Sequence, residues 1–216
     1  MSKIKVGILT FSDGRDFVNK EVYPIALEFQ KTLEQALRNS GEVEPIVGTE
    51  IVWTSDLARQ EAQRLSAVGC EVTIFNFAVW SFPHFPTIAA QFAPKPILLF
   101  GNINPQYPGM VGLLAAAGAL DQIGCFHARI FGDIRDPQVM RKVLTFLRAG
   151  AAINRLRGET FGLFGGRPMG MYTAVANLDQ WMREFGIDVE HIDQWEIARG
   201  AEKAPNDEVE HAFHWL

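Results

Sequence analysis

Cysteine is scarce in this chain of 216 residues: Cys70 and Cys125 stand alone, with no CxxC pair. Two scattered thiols make neither a disulfide framework nor a zinc or redox motif, so both are expected as buried thiols in a reducing compartment. Concentrated positive charge is missing too. The 20 basic residues are spread along the chain and the net charge is −5, which leaves no footprint for nucleic acid or a membrane surface. No run of about 18 apolar residues is uninterrupted, so no membrane span is expected. The opening Met1-Ser2-Lys3-Ile4-Lys5 lacks the charged, apolar and cleavage regions of a signal peptide. A cytoplasmic protein without nucleic-acid or membrane partners is the expectation. Also absent are GxSxG, HExxH, GxGxxG, a P-loop and any Cys/His cluster.

What is present is ordinary globular composition, 48% hydrophobic and 21% charged, in a chain long enough to bury a sizeable core. Short apolar runs, Ile4 to Phe11, Val72 to Phe77, Ile97 to Phe100 and Phe126 to Phe131, read as strands. Either Val43 to Val47 or Ile51 to Trp53 supplies another. Between them helical patterns cover Val22 to Asn39, a segment capped by Ser55 with Asp56 in its first turn, Val111 to Ile123, and Pro137 to Leu156 behind Asp136. Strands alternating with helices predict right-handed βαβ crossovers and an α/β fold with an open, mostly parallel sheet covered by helices on both faces. A domain boundary is expected near Arg157 to Glu159, giving an N-terminal α/β domain over 1–157 and the truncated beginning of a second α/β domain over 158–216. In the latter, Thr160 to Phe164 and Asp188 to Ile192 read as strands, Met171 to Phe185 as a helix, Arg199 to Asn206 as a loop and Glu208 to Trp215 as an exposed helix.

Ligands of open parallel sheets meet the loops at the carboxyl ends of strands, and four such loops stand out. Ser12-Asp13-Gly14-Arg15-Asp16 places a guanidinium fork just past the first strand, either for hydroxyls and anions or for an ion pair within a charged turn. The segment from Trp80 packs Phe82, Pro83, Phe85 and Pro86 around a lone histidine, His84, which is more often structural than a metal ligand. Such rings suit the C–H faces of a sugar or simple packing. Gly101 to Gly109, with its amides and glycines, either accepts a small polar ligand or simply builds turns, and turns are the favoured reading. Gly162 to Met171 holds glycines at 162, 165, 166 and 170 before a helix, an anion or hydroxyl site or a close helix–strand contact. His211 and His214 near Glu208 and Glu210 share a terminal helix, a poor metal cage. No complete catalytic constellation is visible.

The segment Gly162-Leu-Phe-Gly-Gly-Arg-Pro-Met-Gly-Met-Tyr-Thr-Ala174, followed by Phe185-Gly-Ile-Asp-Val-Glu-His-Ile-Asp193, resembles the L-fucose isomerase and L-arabinose isomerase superfamily, and its fucose-isomerase-like branch most closely. Asp13-Gly14-Arg15, Trp80 and Pro108-Gly109 before an Ala-rich helix agree with it. The resemblance implies a Rossmann- or flavodoxin-like first domain. It also implies interconversion of an aldose and a ketose with manganese or another divalent metal, and substrate contacts from Arg15, Trp80 and Met169. Arg15 and Trp80 would act on the site of a neighbouring subunit in a trimer or hexamer. The family's metal-binding Glu, Asp and His residues lie beyond Leu216, so no catalytic residue and no bound metal is expected in this chain. A non-catalytic module that binds a sugar or other small ligand, and a nucleotide-binding domain that uses the glycine loop, are the alternatives.

Overall fold

The computed structural model describes residues 2–103 and 106–216; Asn104 and Pro105 of the expected amide-rich loop lie outside the described residues. The chain divides into two compact units, Met1–Ala152 and Ile153–Leu216.

In the first unit β1 (Ile4–Phe11), β2 (Val43–Val47), β3 (Val72–Phe77), β4 (Ile97–Gly101) and β5 (His127–Phe131) pair in parallel in the order β2-β1-β3-β4-β5. The central strands are apolar without alternation because both of their faces are covered: every residue of β3 and β4 is buried. On one face Leu9, Phe11, Phe75, Phe77 and Leu99 pack with Leu65 of α2 (Ser55–Ala67), Ala89 of α3 (His84–Ala89) and Leu113 and Ala117 of α4 (Gly109–Gln122). On the other, Val6, Ile8, Ile74, Leu98 and Phe100 meet Leu33 and Leu37 of α1 (Asp16–Asn39) and Val143 and Leu147 of α5 (Pro137–Leu156). Each fully buried side chain of this size contributes about 1.5–3 kcal/mol relative to exposure, so these two layers dominate the stability of the unit. The chain leaves β1 toward β2, then returns across β1 to β3. The crossovers α1 and α2 therefore sit on opposite faces, and the strand order reverses between β1 and β3.

The second unit holds a parallel pair, β6 (Thr160–Phe164) and β7 (Asp188–Ile192), joined through α6 (Leu178–Phe185) and followed by α7 (Gln194–Lys203) and α8 (Asn206–Trp215). Val189 is its single buried apolar residue, while Phe161, Phe164, Trp195 and Phe213 are exposed.

Several boundaries differ from the sequence expectation, each for a local reason. α1 begins at Asp16 rather than Val22, because Asn19 N–H already bonds the Arg15 carbonyl and Pro24 is tolerated on the exposed face. Thr54, not Ser55, caps α2, accepting from Leu57 N–H. The aromatic loop contains α3. No single helix spans 171–185: two short 3₁₀ turns precede Asn177, whose side chain accepts from Gln180 N–H and starts α6 there. The polar stretch 199–206 is mostly α7, started by Asp193 accepting from Trp195 N–H. Cys70 is buried and its thiol pushed up by that burial, whereas Cys125 is only half-buried.

Two glycines of α4 should respond oppositely to a methyl group. A Cβ on Gly109 would stand 2.8 Å from the Phe77 carbonyl oxygen and 2.9 Å from that of Ala78, both backbone, whereas one on Gly118 meets nothing within 4 Å. Gly109→Ala is expected to destabilise by about 1–3 kcal/mol through overpacking. Gly118→Ala is expected to stabilise by about 0.5–1 kcal/mol through helix propensity. Urea unfolding of both variants checks the pair.

Candidate functional site

At the carboxyl edge where the order reverses, Asp13, Arg15, Val18, Val22, Val79, Trp80, Tyr107 and Pro108 border one hollow of about 380 Å³. That volume lies within the range of small-ligand pockets. The loop after β1 supplies the charges. Asp13 is 1% exposed and collects three donors: Arg15 N–H at 2.8 Å and Nε–H at 2.9 Å on Oδ1, and Nη2–H at 2.6 Å on Oδ2. The hydrogen bonds from the Arg15 side chain hold the Asp13 carboxyl below the usual carboxylate range, against the opposing effect of burial. The guanidinium itself stays half in solvent, its side chain 53% exposed. This fork engages Nε and Nη2 and leaves Nη1 outside it, so a ligand oxygen can be met without breaking the ion pair.

The loop after β3 supplies the rings. Trp80 meets Phe82 edge-on at 6.4 Å between ring centres, Phe82 lies 6.0 Å from Phe85, and His84 packs 4.2 Å from Phe85. His84 thus belongs to an aromatic stack. Gly14 ties this cluster to the first loop, since a Cβ there would lie 2.6 Å from a ring carbon of Phe82 and 2.9 Å from one of Phe85. Only a glycine lets these rings close on the turn that carries Arg15. The remaining wall comes from Val18 and Val22, one turn apart on α1, and from Tyr107 and Pro108 after β4.

The structure brings Arg15 and Trp80 to one hollow and places Met169 in the second unit. There Met169 is 92% exposed with φ of 49°, a left-handed conformation uncommon outside glycine. Its neighbours Gly165, Gly166, Arg167 and Pro168 face His191, Ile192, Asp193 and Gln194 across an open groove at the carboxyl ends of β6 and β7. Arg167 lies over the Tyr172 ring at 4.6 Å. The residues that sequence reasoning missed are Val18, Val22, Val79 and Tyr107. The i,i+4 valines directly after Arg15 were the available signal for two of them. Among the described residues no group of three or more His, Cys, Asp or Glu is placed to hold a metal ion, and none of their helices is long and apolar enough to cross a membrane.

A parallel sheet ordered 2-1-3-4-5, with a ligand-sized hollow at its switch point, defines a flavodoxin-like α/β unit. Comparison with known proteins narrows this. The model of the L-fucose isomerase first N-terminal domain matches residues 3–158. The L-fucose isomerase of Haemophilus influenzae (strain PittEE) is 26% identical over 232 residues, covering 100% of this chain and 39% of that protein. Those of Citrobacter koseri and Klebsiella pneumoniae subsp. pneumoniae are each 26% identical over 222 residues, 95% of this chain and 37% of theirs. The chain belongs to the L-fucose isomerase family, and it spans about two fifths of the length of these relatives.

The Asp13–Arg15 pair sets a pH dependence. A carboxyl held below its unfolded value of 3.8 contributes stability that is fully present above that value and lost as pH falls through the lower folded one. Wild type is therefore expected to exceed Asp13→Asn in stability at neutral pH, with the difference shrinking only below about pH 4. Thermal unfolding of both proteins across that range measures it.

Proposed function

We propose that this chain is the N-terminal part of an aldose–ketose isomerase for L-fucose or a related monosaccharide, contributing substrate-holding loops rather than the proton-transfer groups. The observation that carries the reading is the meeting of Arg15 and Trp80 at one hollow on the switch point of the sheet. In this reading the Arg15 guanidinium donates to sugar hydroxyls from the side its ion pair leaves open. Trp80, with Val18, Val22 and Val79, receives the apolar C–H face of the sugar. Met169, 92% exposed with a left-handed backbone, is the sugar contact expected of the second unit's own glycine loop. The site is completed by further polypeptide, which the greater length of the relatives supports, and by a neighbouring subunit of a homo-oligomer. Manganese or another divalent metal belongs to that other polypeptide. When bound there it would polarise the sugar oxygens next to the carbon that loses its proton. The residues described here do not form a cage for it, and none of their roles requires it.

Titration of the ¹⁵N-labelled chain with L-fucose tests the binding role. Shifts are expected at the Trp80 indole N–H and the Arg15 Nε–H; saturating sugar that leaves both unmoved would remove them from the site. In the longer protein, Trp80→Ala should lower sugar turnover by about 1–3 kcal/mol of transition-state binding, roughly 5- to 150-fold, without loss of metal binding. Unchanged kinetics would exclude Trp80.

A further inference from the structure

Three strand ends supply the loops of the hollow, and one buried polar chain ties those ends together. Thr10 of β1 lies three residues before Asp13, Asn76 of β3 four before Trp80, and Asn102, just past β4, five before Tyr107. Thr10 and Asn76 are register partners with no exposed surface, and Asn102 is 4% exposed. Asn102 Nδ2–H donates to Asn76 Oδ1 at 2.8 Å and to the Phe77 carbonyl at 3.1 Å, and Asn76 Nδ2–H donates to Thr10 Oγ1 at 3.0 Å. The Asn102 backbone N–H adds a bond to the same Phe77 carbonyl at 2.9 Å. A carbonyl only accepts, so Phe77 decides which end of the Asn102 amide faces β3, and that choice fixes the direction of the whole chain.

The face on which Thr10 and Asn76 lie is otherwise built from Val6, Ile8, Ile74, Leu98 and Phe100, so polar groups there are not needed for packing. Burying them carries a desolvation cost that only a fully bonded network offsets. What they add over apolar side chains is direction and length, since hydrophobic contact is non-directional. Gly109 and Gly112 complete the arrangement at the far end of the third loop. A Cβ on the first would stand 2.8 Å from the Phe77 carbonyl oxygen, and on the second 3.0 Å from that of Val79. The segment carrying Tyr107 is thus held at both ends to the segment carrying Trp80.

We propose that Thr10, Asn76 and Asn102 are positioning residues that set the spacing of the loops bearing Arg15, Trp80 and Tyr107. Its meaning for a sugar rests on the function proposed above; the positioning itself does not. Amide hydrogen exchange on the intact chain tests it. Thr10→Val keeps the shape but removes the acceptor for Asn76, and Thr10→Ser keeps the hydroxyl. The valine variant should exchange at least about tenfold faster at Ser12, Arg15 and Asn102, with Ile74 and Leu98 in mid-sheet unchanged, and serine should restore the wild-type pattern. Exchange in the valine variant that matches wild type, acceleration spread evenly over the sheet, or no rescue by serine would each overturn the proposal. Should Thr10→Val fail to fold, Asn102→Ala at the other end of the chain gives the same reading: local acceleration at Ser12 and Arg15 supports the link, and none refutes it. In a parallel L-fucose titration, weaker binding by the valine variant, rescued by serine, ties the chain to the site. A wild type that ignores L-fucose sinks the sugar reading, while exchange still decides the positioning.

Discussion

A parallel sheet with both faces covered leaves its strands no solvent-facing side, and most features of the first unit follow from that constraint. β3 and β4 are wholly buried, so their backbone polar groups must be bonded within the sheet, and apart from Thr73 and Asn76 their side chains are apolar on both sides. Parallel neighbours need long crossovers, which the helices provide. Because α1, which follows β1, and α3, which follows β3, pack on opposite faces, the loops after β1 and β3 part at the strand ends. The parting is the hollow, and it exists before any particular side chain is placed in it.

At that edge Asp13, Asn76 and Asn102 survive burial by being hydrogen-bonded, whereas the buried Ser12 hydroxyl has no hydrogen-bond partner among the described residues. Asp13 stays ionised almost out of reach of water because three N–H groups of one residue converge on it. The same ion pair fixes the direction of the Arg15 guanidinium. The amides of Asn76 and Asn102 use the same strategy without charge. Rigid aromatic packing around Phe82 and Phe85 holds Trp80 from the other side, and Gly14 lets the two loops touch.

The second unit is built differently. Its two strands bury one apolar residue, Val189, and leave Phe161, Phe164, Trp195 and Phe213 to solvent. The chain spans about two fifths of the length of the relatives it matches.

Periodicity and composition determined the strands β1, β3, β6 and β7, the span of α5 and the α/β class, because short apolar and β-branched runs between turn residues mark strands whether or not both faces end up buried. Asp13-Gly14-Arg15 and Trp80 were legible as unusual residues on strand-end loops. That they share a hollow was not, since 65 residues of chain separate Arg15 from Trp80 and only the order of strands brings them together. Val18 and Val22 lie on α1 and Tyr107 in a loop read as turns, and nothing local marks them as neighbours of Trp80. Thr10 and Asn76 lie unmarked within apolar runs and Asn102 among the amides of the third loop, for a hydrogen bond between side chains far apart in sequence leaves no local pattern. Local energetics thus chose the elements, and tertiary packing alone decided which of their polar groups would meet.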